Sequence, residues 1–188
     1  MRFTQRTMVT LGLAVVLSTG AQTAMAGSAK EIAQNAHKAL DALCTKNQAA
    51  RLLRTEAVAF LVFPSIYKAG FIIGGQGGDG ALFKESKHKS TTVGYYRSVA
   101  ASYGLQAGVQ KFGYALFFMK ESALEYLDKS DGWEIGVGPS IVVVDAGVGK
   151  TLTTTTGRSD VYAFIFSQKG LMAGIGIQGT KITKIHPD

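Results

Sequence analysis

Apolar side chains at Ile32, Ala36, Ala39, Leu40 and Leu43 return at helical spacing, and Ser28 followed by Glu31 just ahead of them is a capping-box signature. A first helix is therefore expected from about residue 29 into the mid-forties. Residues 48–56 read as a second short helix, with Leu52 and Leu53 apolar and Arg51 and Arg54 basic. From Ala57 onward the pattern changes to short runs of Val, Ile, Phe and Tyr broken by glycine every few residues, the texture of strands and tight turns. Strands are predicted near 57–63, 70–75, 80–84, 93–98, 103–109 and 114–119, then a short helix over 120–127, then strands near 133–137, 141–144, 161–166 and 171–177. Most of these strands follow one another without a helical crossover, so antiparallel pairing is expected.

The glycines have an internal rhythm. Gly70-Phe-Ile-Ile-Gly74, Gln76 and Ala81-Leu82-Phe83 match the spacing of Gly104-Leu-Gln-Ala-Gly108, Gln110 and Ala115-Leu116-Phe117, and 173–179 carries a partial third copy. Each full copy reads as a Gly-spaced strand, a turn and a returning strand, a repeated hairpin whose glycines permit bulges, bends or close backbone approach. The fold expected is α+β: N-terminal helices packed on a strongly bent, Gly-rich antiparallel sheet or partly closed barrel.

Within the first copy Gly75, Gly77 and Gly80 spell G-x-G-x-x-G. A dinucleotide turn needs a helix directly after these glycines, its N-terminus facing the pyrophosphate. Here the chain continues Ala-Leu-Phe-Lys-Glu-Ser and soon returns to strand-like residues, so the required helix is missing. Gly149-Lys150-Thr151 ends like a P-loop, but the position that should hold its first glycine is Val144. No cofactor is expected.

Catalytic and metal arrangements are equally unsupported. His37, His88 and His186 stand in no ligand spacing, no G-x-S-x-G elbow occurs, and Cys44, the only cysteine, falls on the apolar side of the first helix. The chain is read as having no catalytic and no metal residues.

The N-terminus changes the cellular context. Arg2 and Arg6, the apolar run from Met8 to Leu17 and the small-residue stretch closing on Ala24-Met25-Ala26 make a signal peptide over 1–26, with one mature domain over 27–188. The apolar run is shorter than the roughly 20 residues of a spanning helix. Export to the periplasm or cell envelope, or secretion, is expected. The formal charge is +7, and loss of Arg2 and Arg6 leaves +5, a balance that favours anionic partners. In an exported chain those are lipid headgroups or acidic polymers, and nucleic acid is not expected.

At FPSIYKAGFIIGGQGGDG the chain resembles the SYLF-domain family, through Phe63-Pro64-Ser65, Lys68-Ala69-Gly70 and Gly78-Asp79-Gly80. Further matches are Gly104-Leu105-Gln106-Ala107-Gly108 and the closing FSQKGLMAGIGIQGTKI with Ser167, Lys169-Gly170-Leu171, Ala173-Gly174 and Gly179. The resemblance implies a non-catalytic domain that binds anionic phospholipid or phosphoinositide-type headgroups, found in bacteria as small exported proteins. Tyr95-Tyr96-Arg97-Ser98-Val99 departs from the family's Trp-Ser and proline segment, and the basic extension tied to actin binding has no counterpart, which argues against actin.

The residues assigned to lipid are Lys68, within the family-like motif, Lys84, Lys87 and Lys89, on an expected loop tip beside His88, and Arg51 and Arg54. The first two helices could also lay Lys30, Lys38, Lys46, Arg51 and Arg54 on headgroups, or pack their apolar stripe on the sheet. An outer-membrane barrel or envelope structural protein and an exported hydrolase are the other readings.

Overall fold

The computed structural model describes residues 27–86, 89–130, 132–144, 159–170 and 176–188. Helices α1 (Ala29–Lys46) and α2 (Gln48–Arg54) come first. Strands β1 (Ala59–Ser86) and β2 (Lys89–Phe118) follow, then α3 (Glu121–Lys129), and finally β3 (Trp133–Glu134), β4 (Ile141–Val144), β5 (Val161–Gly170) and β6 (Lys181–Ile185). The expected capping box holds on its N-cap side, with the Glu31 amide donating to Ser28 Oγ at 3.3 Å. Asn47 joins the two helices: its amide donates to the Leu43 carbonyl, and its Oδ1 accepts from the Ala50 amide at 3.0 Å.

One strongly curled sheet carries the rest, a half-barrel in which β2 is central. Its neighbour along one edge is β1, and the other edge pairs with β6 over 95–99 and with β5 over 110–118. β3 extends the sheet beyond β6, and β4 beyond β5. The expected α+β class holds.

Two expectations are corrected. The glycine-rich copy at 70–83 is not a hairpin, because β1 runs unbroken from 59 to 86 and pairs antiparallel with β2, Ser86 lying opposite Lys89. The two copies lie on adjacent antiparallel strands, with Gly70 opposite Gly108. The sheet is also not wholly antiparallel: β4 and β5 run parallel, with a connection between them long enough for the crossover that parallel neighbours require. Of the strand expected at 171–177, residues 171–175 lie outside the described residues; β6 is the strand that follows.

β1 curls because its sequence allows it to. Pro64 sits where the register slips between Phe63 and Ile66, and a second slip falls between Phe71 and Ile73. Past this corner the strand returns across its own first arm. A Cβ on Gly78 would collide with the Ser65 carbonyl oxygen, and one on Gly80 with that of Val62. The inferred role of the glycines as points of close backbone approach is met at these two positions.

Alternation, shifted at the slip between Phe63 and Ile66, sorts the apolar residues into two cores. Leu61, Phe63, Ile66, Leu82, Tyr114, Leu116 and Ala163 point into the curl, where Trp133 and Leu124 and Leu127 of α3 complete the filling. Phe60, Val62, Ala81, Phe83, Phe117, Tyr162 and Phe164 point outward, beneath Ile32, Ala36, Leu40, Leu43 and Cys44 of α1 and Leu53 of α2. Strands buried on both faces read as continuous apolar runs, as in Ala59-Phe-Leu-Val-Phe63. The N-terminal helix therefore packs on the sheet, and its charged side is solvated.

Asp160 ties the connection before β5 to its neighbours. Its carboxylate accepts from Lys120 Nζ at 2.7 Å and from the Ser140 amide and hydroxyl at 2.9 and 2.8 Å. These bonds, Lys120 first, hold its pKa down to about 2 from the ordinary 3.8.

Gly80→Ala should destabilise the fold by about 1–3 kcal/mol in urea unfolding, the usual range for forced overpacking. At Gly75 an added Cβ would meet only the Ala100 carbonyl, at 3.8 Å. Gly75→Ala should therefore leave stability unchanged or slightly raised; equal losses at both sites would refute the crossing. For Asp160, the folded pKa lies below the unfolded one, so its contribution is complete above the ordinary carboxylate range and is lost as pH falls towards 2. Asp160→Asn should lower stability at neutral pH and flatten its fall between pH about 4 and 2.

Candidate functional site

The sequence-assigned basic residues fall into two groups. Arg54 of α2 forks onto Glu85 near the end of β1 and donates through Nη1 to Asp41 Oδ1 at 2.8 Å. The Glu85 bond, then that to Asp41, raises its pKa above the ordinary arginine value. Lys84 reaches Glu121 Oε2 at 3.4 Å. Arg51 and Lys89 are exposed, Lys89 opposite Ser86 at the β1/β2 turn, and Lys87 with His88 lies outside the described residues. The fold thus brings Arg54 and Lys84 to the end of the sheet that holds this turn, with part of the charge neutralised by Asp41, Glu85 and Glu121.

Lys68 belongs elsewhere. It is 6% exposed and lies opposite Gln110, on the side of β1 that faces the curl. Ser98, Gln76 and Thr180 are buried with it, Tyr114 donating to Ser98 Oγ at 2.7 Å and Gln76 Nε2 to Thr180 Oγ1 at 3.4 Å. The inside of the half-barrel therefore turns from apolar to polar towards the bend. Gln110 Oε1 has no hydrogen-bond partner among the described residues.

The outer face of the same bent half is apolar and open. Tyr67 (56% exposed), Ile73 (70%), Val99 (43%) and Val109 (67%) share it with Ala69, Ala101 and Lys111. These residues fall at alternate positions of the ladder, Tyr67 opposite Lys111, Ala69 opposite Val109 and Gly77 opposite Val99. Farther along β1 and β2 this face is covered by α1 and α2; here the side chains are exposed.

Where the first turns of α1 meet the open face there is a groove of about 840 Å³. Gly27, Glu31, Ile32 and Asn35 form its helix side; Pro64, Ser65 and Tyr67 form the wall from the first arm of β1. Its floor and far side come from Gly77, Gly78 and Asp79 of the returning arm and from Arg97, Val99 and Lys111 of β2. Arg97 forks onto Asp79, its neighbour across the ladder, through Nε at 2.7 Å and Nη2 at 2.9 Å. Lys111 Nζ lies 5.0 Å from the centre of the Tyr67 ring, a cation–π contact. A smaller hollow of about 340 Å³ continues past Arg97 to Ser28 and the 185–188 segment. The Ala29 amide holds that segment by donating to the Asp188 carbonyl at 3.0 Å.

Sequence reasoning missed Arg97, Lys111, Tyr67 and Val109. The signal was present: a period of two puts Tyr67, Ala69, Ile73, Gly75, Gly77 and Asp79 on one face with Arg97, Val99, Ala101, Val109 and Lys111, but only if each stretch is a single strand. Among the described residues no three His, Cys, Asp or Glu side chains come together as metal ligands, and no helix is long and apolar enough to cross a membrane.

Residues 99–186 match the family model Ysc84, described as Las17-binding protein actin regulator. A search of curated proteins found no match. The SYLF-domain resemblance is borne out over that segment, which runs from Val99 through β6 and includes Lys111. The Gly27–Asp79 side of the groove precedes it.

Proposed function

We infer that this protein is a non-catalytic lipid-binding domain of the cell envelope, working after export from about Gly27, that meets anionic phospholipid surfaces with the outer face of its bent half. The observation that carries this reading is the exposure of Tyr67, Ile73, Val99 and Val109 on one face together with Lys111. Fully burying a side chain of this size contributes roughly 1.5–3 kcal/mol, so even partial insertion of several outweighs any one surface charge. Each basic residue near an anionic leaflet adds about 1 kcal/mol that salt screens. The match to the Ysc84 (SYLF) family supports a lipid- or actin-binding domain, and the net charge of the mature chain favours the lipid.

Arg51 and Lys89, with Lys84 and Arg54, then serve long-range attraction more than contact, since Lys84 and Arg54 already pair with carboxylates. Lys68, facing the curl, supports the fold behind the contact face instead of touching a headgroup. The barrel reading is disfavoured by α1 and α2, which occupy outer sheet surface that a spanning barrel would give to lipid.

Co-sedimentation with phosphatidylcholine vesicles, with and without phosphatidylglycerol, at two salt concentrations tests the reading. The purified protein should pellet with the anionic vesicles at low salt and retain part of that binding at high salt. Ile73→Asp with Val109→Asp should abolish the salt-resistant part, while Lys84, Lys87 and Lys89 changed together to Gln should lower only the salt-sensitive part. No preference for anionic over neutral vesicles at low salt would sink the proposal.

A further inference from the structure

On the outer face of the bent half, two glycines stand where the fold itself does not ask for glycine. A Cβ on Gly77 would meet the Ser98 carbonyl oxygen at 3.4 Å and Val99 Cγ1 at 3.7 Å, ordinary contacts, and one on Gly75 would be freer still. Neither has a positive φ. A glycine inside a strand forgoes roughly 0.5–1 kcal/mol relative to alanine, so a missing side chain that packing does not require has another use. At Gly77 that use is the groove, whose floor it forms and whose space any larger residue would enter; Gly75 does not line it.

The groove's chemistry is mixed in a particular way. Ile32, Pro64 and Val99 give it apolar walls, and two cations stand on its β2 side. Lys111 is engaged by the Tyr67 ring and by no carboxylate among the described residues. Arg97 commits Nε and Nη2 to Asp79, and its Nη1 takes no part in that pair. Glu31 and Asp79 also line the space. A small free anion would meet two carboxylates along with two cations and gain little. An amphiphile offsets that repulsion by removing its chain from water.

We propose that the groove holds one phospholipid molecule with an anionic headgroup, its phosphate at Lys111 and Arg97 and an acyl chain along Ile32, Pro64 and Val99. The proposal rests on the lipid-binding reading and adds to it a single-molecule site. A volume of about 840 Å³ falls within the roughly 300–1,000 Å³ of small-molecule sites. Tyr67, Val99 and Lys111 belong both to the groove and to the exposed face, so a lipid can pass from an apposed leaflet into the groove along one surface.

The test is calorimetric titration of the purified protein with dihexanoylphosphatidylglycerol below its micelle concentration, beside vesicle binding of the same samples. The wild-type protein should bind the monomeric lipid with one site. Gly77→Leu, which fills the groove from an uncrowded position, and Lys111→Glu should each weaken it by about tenfold or more, the scale of one lost favourable contact. Gly75→Leu, with the same gain of apolar bulk outside the groove, should keep wild-type affinity, and all three variants should keep the wild-type unfolding midpoint within a few degrees. Equal affinity in wild type and Gly77→Leu overturns the proposal. So does binding of anionic vesicles without binding of monomeric lipid, an outcome that leaves the membrane-surface reading standing. Competition by inorganic phosphate as strong as that by the whole lipid overturns it as well, by making the groove an anion site. Failure to bind either vesicles or monomer removes both readings.

Discussion

The carbonyl oxygens of Val62 and Ser65 lie against the α-carbons of Gly80 and Gly78, with no room for a side chain between them, and this crossing of β1 over itself sets the shape of the molecule. A strand of 28 residues is far longer than the usual five or six and would, if straight, span about 90 Å. Curling converts that length into an enclosure. The first arm brings Leu61, Phe63 and Ile66 onto the inner side, the returning arm brings Leu82, and β2 follows the same path with Tyr96, Phe112, Tyr114 and Leu116. The interior core is thus made largely by two strands that each contribute twice.

The curl also divides the outer surface. The start of β1, its end and the last part of β2 carry Phe60, Val62, Phe83 and Phe117 outward, and those apolar side chains require cover, which α1 and α2 supply. Nearer the bend the outward positions whose side chains are described include Tyr67, Ala69, Ile73, Val99, Ala101, Val109 and Lys111, which no helix covers. The groove forms at the border, where α1 begins. Its helix wall is fixed by the Ser28 cap and by the Asp188 carbonyl bound to the Ala29 amide, so its width depends on anchored backbone at both chain ends described.

Helix α1 was legible from sequence because its evidence is local: a capping residue, a glutamate three positions on and five apolar side chains at one spacing. The unity of β1 and β2 was not. Glycine in a strand is usually read as an end or a turn, and Gly70 to Gly80 holds six of them, yet alternation continues through Gly75 and Gly77 to Asp79. Turn reading and alternation conflict there, and long-range contacts with Val62 and Ser65, invisible in a linear pattern, decide for the strand. The parallel pairing of β4 with β5 depends likewise on a crossover that no periodicity announces. For the site, net charge pointed to basic residues but not to which of them are spent. Arg54 and Lys84 are held by acids distant in sequence, whereas Lys111 meets an aromatic ring whose position follows only from the ladder.

The glycines of this chain therefore separate by cause, although composition treats them alike. Gly70, Gly78 and Gly80 are imposed by backbone crowding, Gly108, Gly132, Gly136, Gly138 and Gly179 by positive φ. Gly75 and Gly77 have neither reason, and they sit on the outer face of the bent half, where the described side chains are exposed. A side chain there would raise strand propensity and cover exposed backbone, so leaving it out weakens the fold slightly in a place where nothing inside the molecule benefits. A local choice that runs against stability without structural compensation is the pattern expected of surface reserved for something outside the chain. The glycine-rich stretch that imitates a nucleotide loop in sequence thus has two functions in space, one facing inward to close the curl and one facing outward to keep a groove open.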